Sequence, residues 1–210
     1  FNSSRKQLLS IDGIGPSYVD KILSADTARA ADALLETESK AGNNIFCYLD
    51  KAYPRRLNNC EDAPLLIFTQ GEVDLNQAYV LSIVGTRHAT EYGTRATEDF
   101  IKAISPLRPL IVSGLAHGID VAAHKAAMRF DCPTVGVLAH GLDMVYPAIH
   151  RKVADRMCEQ GGLISEFPIG IKPDKERFPM RNRIVAGMSD ATVVVESDVS
   201  GGSLITARMA

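Results

Sequence analysis

The sequence predicts an α/β fold: a mainly parallel sheet with helices on both faces, behind a small helical segment at the amino terminus. Three observations carry this. From Ala78 onward, five β-rich runs (YVLSIVG, LIVSG, PTVGVLA, GLISEF and ATVVVES) alternate with spacers long enough to hold a helix. Four of those runs end in Gly, Ser or Thr with basic residues interspersed, the composition of loops at the carboxyl edge of such a sheet. Residues 1–42 instead follow a helical apolar spacing throughout.

The elements follow in order. LLSIDGIGPSYVDKIL places helical pattern on both sides of a GxG turn, and ADTARAADALLETESKAG continues as an alanine-rich helix closed by Gly42. The expected boundaries are therefore 1–42 for the helical segment and 43–210 for the α/β domain. NIFCYLD is a short strand, a loop with Tyr53, Pro54, Arg55 and Arg56 follows, and PLLIFTQG is a further strand candidate. YPAIHRKVADRM, residues 146–157, opens a helix with Pro147 in its first turn. Residues 168–179, PIGIKPDKERFP, form the one long irregular connection, with Pro173 and Pro179 interrupting helix. A basic helix then leads into Ala191 to Val195, a β-branched run of the kind that forms a central strand covered on both faces. Gly201 and Gly202 turn the chain tightly, and Ser203 stands where the helix of LITARMA wants its N-cap.

Composition bounds the function. The 210 residues are 46% hydrophobic and 23% charged, ordinary for one main domain with a small appendage. A formal charge of −2 gives no global sign of a polyanion binder, so any such site must be a local patch. Cys47, Cys60, Cys132 and Cys158 form no CxxC pair and have no His at zinc spacing, which argues against a metal site and fits free thiols in a reducing cytoplasm. No apolar run is long enough for a membrane span and no secretory signal pattern is present. The chain begins at Phe1 and stops inside a helical pattern, as expected of part of something longer.

The strand ends carry Gly85-Thr86-Arg87, SGLAHG at 113–118, Ala139-His140-Gly141 and residues 197–203. A helix beginning after a glycine loop presents free N–H groups and partial positive charge, which suits a phosphate. Arg87 offers a planar fork to the same anion, as do Arg181 and Arg183; plain βα turns and surface arginines are the competing reading. SGLAHGID lacks GxGxxG spacing and its strand ends in Ser113 rather than an acid, which disfavours a dinucleotide cofactor. Asp120 and His124 are one helical turn apart and read as a helix-face hydrogen bond. His150, Arg151 and Lys152 are either a charged helix face or phosphate contacts. Glu166 and Glu196 end adjacent strand candidates, are the only acids expected to face the crevice, and read either as an acid/base pair or as braces for Arg181 and Arg183. No GxSxG elbow appears, and no metal or cofactor is expected.

SIVGTRHATEYG, SGLAHGIDVAAHKAA, GLDMVYPAIHR, GGLISEFP, FPMRNRIVAGMSDATVVVE and SGGSLITARMA, in this order, resemble the DprA/Smf family of bacterial DNA-processing proteins. YPRRLNNCEDAPLLIFTQG is similar to the segment before that family's core, so the likeness spans roughly residues 45–210. The resemblance implies an extended Rossmann-like fold and single-stranded DNA binding. It also implies loading of a RecA-type recombinase in natural transformation, a homodimer, and no catalytic residue. Carried onto this chain, it implies phosphate contacts at Gly85, Thr86, Arg87, Ser113, Gly114, Arg181, Asn182, Arg183, Gly201, Gly202 and Ser203. Ala148 follows Pro147 where the family often has a basic residue, so contacts from that loop fall to His150 and Arg151, or to Lys152. His140 and Asp62-Ala63-Pro64 are further departures. SIDGIGPSYVDKIL is similar to half of a helix-hairpin-helix (SAM-like) motif, whose GIG amides meet phosphate or merely pack. His117, His140 and Phe178 are candidates to stack on bases, and the last helix, with Leu204, Ile205 and Met209, is a candidate dimer surface.

A different class competes: a nucleotide hydrolase of the lonely-guy (nucleoside monophosphate phosphoribohydrolase) type. SGGSLITA is similar to its PGGxGTxxE motif, but Ser200 replaces Pro and no Glu follows on the helix to serve as acid or base.

Overall fold

The structure, a computed structural model, describes residues 3–198 and 201–210. Ser200, the serine standing for proline in the glycine loop, lies outside the described residues, as do Val199, Phe1 and Asn2. The chain divides into two compact units, Phe1–Ala41 and Gly42–Ala210. The first holds α1 (Arg5–Leu9), α2 (Pro16–Leu23) and α3 (Ala25–Lys40). Ser24 caps α3 by accepting from the Thr27 amide at 3.1 Å. Gly13 turns the chain at φ +79°, and Pro16 occupies the first position of α2.

The second unit is built on a seven-stranded sheet in the order β1-β2-β6-β5-β4-β3-β7. Its strands are β1 (Asn44–Cys47), β2 (Leu66–Gln70), β3 (Val80–Gly85), β4 (Leu110–Ser113), β5 (Thr134–Leu138), β6 (Gly162–Ser165) and β7 (Ala191–Val195). The five strands predicted from Ala78 onward run parallel, and β1 and β2 extend them antiparallel beyond β6. Between and after them lie α4 (Glu91–Ile104), α5 (Ile119–Arg129), α6 (Arg151–Gln160), α7 (Arg177–Gly187) and α8 (Gly202–Met209). Strand alternation sorts the core by face. Val80, Val84, Leu110, Val112, Val135 and Val137 join Ile184 and Val185 of α7, while Ile83 and Ile111 join Ile101 of α4 and Ile119, Ala123 and Ala127 of α5. This is a doubly wound arrangement. The chain steps outward from β3 to β6, then returns to place β7 on the other side of β3, which sets the switch point there.

Several local expectations are corrected. β7 is an edge strand, half-exposed and paired only with β3 among the described residues. A β-branched run specifies a strand but not which neighbours it receives. Pro147 is extended and precedes a 3-10 turn at Ala148–His150, so α6 begins only at Arg151. Pro179 sits within the first turn of α7, where its missing N–H would have had no helical acceptor. Gly201, not Ser203, is the N-cap of α8. The four thiols are free as expected, Cys132 buried and the other three half-buried. No helix among the described residues is long and apolar enough to cross a membrane.

Tyr53 fixes the segment ahead of the parallel sheet. Its ring is 1% exposed in the core with Leu57, and its hydroxyl donates to the Pro64 carbonyl at 2.6 Å. Burial pushes its pKa up to about 12. Tyr53→Phe leaves that carbonyl without a donor, and denaturant unfolding should show a loss of about 1–3 kcal/mol.

Candidate nucleic-acid interface

The crevice lies at the switch point, over the carboxyl ends of β3 and β7 and the first turns of α5, α7 and α8. β3 closes on Gly85, where a Cβ would overlap the Val195 carbonyl and the Ile119 side chain. The Thr86 amide donates to the Glu196 carbonyl at 2.7 Å, and the Thr86 carbonyl accepts from the Ile119 amide at 3.1 Å. Glu196, at φ +48°, leaves β7 in the left-handed region. Its carboxylate accepts from the amide and hydroxyl of Thr90, which hold it below the usual carboxylate range. The loop leading to α8 is thereby tied to the N-terminus of α4.

The cavity measures about 650 Å³ and is lined by Gly85, Thr86, Arg87, Gly114, Arg181, Asn182, Gly201, Gly202 and Ser203, among others. Nine of the sequence-predicted residues thus come together. Four do not line it. Ser113 is fully buried with its hydroxyl donating to the Ile83 carbonyl at 2.6 Å, which makes it a spacer between strands. Arg183 turns to Glu166 and Asp62. His150 is buried against the His117 ring at 4.9 Å, and Arg151 is exposed at the start of α6.

Arg181 forms the floor. It is 5% exposed, it donates to the Val137 carbonyl, and its guanidinium fills the space that a Cβ at Gly114 would need. Asp120 faces it: burial pushes the Asp120 carboxyl up, and the charge of Arg181 opposes that shift. The Arg181 Nε has no hydrogen-bond partner among the described residues. Asp120 does not bond His124 as helix spacing suggested. His124 Nδ1 pairs with the Thr134 hydroxyl at 2.7 Å, and burial lowers its pKa to about 3. Glu166 braces Arg183, whereas Glu196 is held by Thr90. Three strands separate β6 from β7, roughly 19 Å at the usual strand spacing, so the two glutamates form no acid/base pair.

Arg87 is an open cation of the crevice. It is exposed, has no acidic partner among the described residues, and lies over the Phe178 ring at 5.8 Å. Phe178 in turn meets Tyr146 at 5.8 Å, and Tyr146 is 53% exposed. These two rings, tilted 41° to each other, and the guanidinium stand together on the wall of the crevice. Sequence reading found Phe178 and missed Tyr146; a tyrosine in the loop after a core strand was the available signal. His140 is 1% exposed and bonds the Gly141 carbonyl, so it offers no stacking surface. Lys175 adds charge at the rim, which Asp174 and Asp198 also line. The amides that begin α8 have no intrahelical acceptor and suit an anion without needing any side chain. No group of three or more potential metal ligands occurs among the described residues.

The sequence model of the family described as DNA recombination-mediator protein A matches residues 44–210. The chain is 34% identical over 204 residues to Protein Smf of Synechocystis sp., covering 95% of this chain and 51% of that protein. It is 38% identical over 178 residues to the DNA processing protein DprA of Bacillus subtilis, covering 84% and 60%. The X-ray structure of DNA processing protein A from Streptococcus pneumoniae matches with TM-score 0.86 and 33% identity, over 99% of this chain and 71% of that one. DNA processing protein A of Helicobacter pylori, whose structure is described as giving insights into its single-stranded DNA binding mode, matches with TM-score 0.72 and 27% identity, over 80% and 75%. The chain spans about half the length of the curated relatives it matches.

Removing Arg181 leaves Asp120 buried without its counter-charge. Arg181→Ala leaves the Val137 carbonyl without that donor and takes a favourable charge away from Asp120, and should cost about 1–3 kcal/mol at neutral pH. An acid whose folded pKa is raised contributes stability that falls as pH rises through that pKa. The substitution raises it further, so the deficit should shrink on acidification as Asp120 takes a proton. Urea unfolding at pH 5 and pH 8 reads this difference.

Proposed function

This chain belongs to the DNA recombination-mediator protein A family, and from that premise we propose that it binds single-stranded DNA in the switch-point crevice with little regard to sequence. The observation that carries this reading is the Arg87–Phe178–Tyr146 cluster on the wall of the crevice that the amide-rich start of α8 also lines. A backbone phosphate sits on the Gly202 and Ser203 amides and on Arg87. A base lies against the exposed aromatic ring, a contact worth about 1–3 kcal/mol for any base because every base has a π-face. Gly85 and Gly114 add backbone rather than side-chain edges to the crevice, so little there reads base identity.

Loading of a RecA-type recombinase during natural transformation and action as a homodimer rest on the family likeness. On α8, Ile205 and Met209 are 38% and 47% exposed, apolar area available to a second copy. Binding rather than hydrolysis is supported by the distance between Glu166 and Glu196, too great for an acid/base pair.

Fluorescence anisotropy with labelled oligonucleotides tests the site. Arg87→Ala should weaken binding by about 1–3 kcal/mol on every sequence and lower the slope of log affinity against log salt by about one. Unchanged affinity in a folded variant removes Arg87 from the site. Arg183→Ala, which breaks the Glu166 pair, should lower the melting temperature and leave affinity intact.

A further inference from the structure

A larger cavity, about 960 Å³, opens between α4 and α5, outside the crevice. Its α5 wall uses positions 118, 121, 122, 125, 126 and 129, one continuous helical stripe. Val121, Ala122 and Ala126, with Ala89 from the loop after β3, give it a floor of small apolar side chains. Its rim is basic: Arg87, His88, His117, Lys125 and Arg129. Glu98 is the one acidic residue of that lining, and it is already paired with Arg129. Arg87 and Lys125 are exposed and have no acidic partner among the described residues. In a chain of net charge −2, two uncompensated cations over a shallow apolar floor are a local departure from the surface as a whole.

Arg87 lines both cavities, so the groove begins where the crevice ends. We propose that this groove is a second single-strand segment, in which DNA leaving the crevice over Arg87 continues along α5. Its phosphates lie on Arg87 and Lys125, and its bases lie against the Val121, Ala122 and Ala126 floor. This rests on the crevice reading above and extends it. Charge complementarity selects a polyanion, and an apolar floor is useful only to unpaired bases, whose faces are free to lie on it. A groove of this volume takes a few nucleotides and not a duplex.

The test uses the intact protein with oligothymidylates of graded length. Affinity of the unaltered protein should keep rising past the length that fills the crevice. Lys125→Glu and Ala122→Leu, the latter filling the groove at a half-exposed helix position, should each reduce binding of long oligonucleotides about tenfold and leave the shortest bound equally well. Arg87→Ala should weaken both classes. Oligonucleotides carrying 5-iodouracil at successive positions should crosslink to residues 117–129 at one end only. Variants that match the unaltered protein at every length, or crosslinks confined to the crevice, overturn the groove and leave the crevice reading standing. Failure of the unaltered protein to bind any single strand overturns both.

Discussion

The guanidinium of Arg181, delivered by α7 to the carboxyl edge of the sheet, donates to the Val137 carbonyl of β5 and faces Asp120 at the start of α5. It occupies the space that Gly114 leaves empty at the end of β4. One buried side chain therefore connects an outer helix, two central strands and the helix on the opposite face. A charge taken out of water is tolerated only with such partners, and the partners in turn acquire fixed positions. The crevice floor is rigid for this reason. The groups that face outward from it, Asn182 and the rim of Arg87 and Lys175, are carried on a frame that does not depend on ligand.

The arginines near the site fall into two kinds. Arg183 is neutralised by Glu166 and Asp62, as Arg56 is by Asp190 at the opposite, amino edge of the sheet. Arg87 is left uncommitted but held in direction by Phe178. A cation resting on a ring keeps its orientation without spending its charge on a carboxylate, so it remains available to phosphate. The net charge of −2 does not decide the local charge of the crevice, where Arg87 and Lys175 stand beside Asp174 and Asp198.

The glycine loop follows the same logic with backbone in place of side chains. Glu196 enters it in a left-handed conformation and is secured by Thr90, which also caps α4 through the Gly93 amide at 3.1 Å. One threonine therefore holds the end of β7 to the start of α4. Ser203 does not cap that helix. It exchanges a hydrogen bond with the Ser197 hydroxyl at 2.7 Å.

Composition and periodicity by themselves determined the strands of the α/β domain, the parallel run from Ala78 onward, the helical character of the first 42 residues and the glycine-rich strand ends. These are local properties: a β-branched run or a positive φ at glycine costs nothing to read from neighbours in the chain. Nine of the thirteen predicted site residues came together because a parallel sheet puts all its strand ends on one edge. Tertiary structure alone decided the remainder. Nothing in ATVVVES says that β7 lies at an edge, because strand order is set by crossovers many residues away. Nothing in RNR says that Arg181 is buried and Arg183 braced, because two residues of spacing on a helix fix an angle but not what stands opposite it. Tyr146 meets Phe178, and Lys125 shares a surface with Arg87, only after loops from different strands converge. Burial and partnership depend on contacts distant in sequence, and those contacts separate a cation that binds from one that braces.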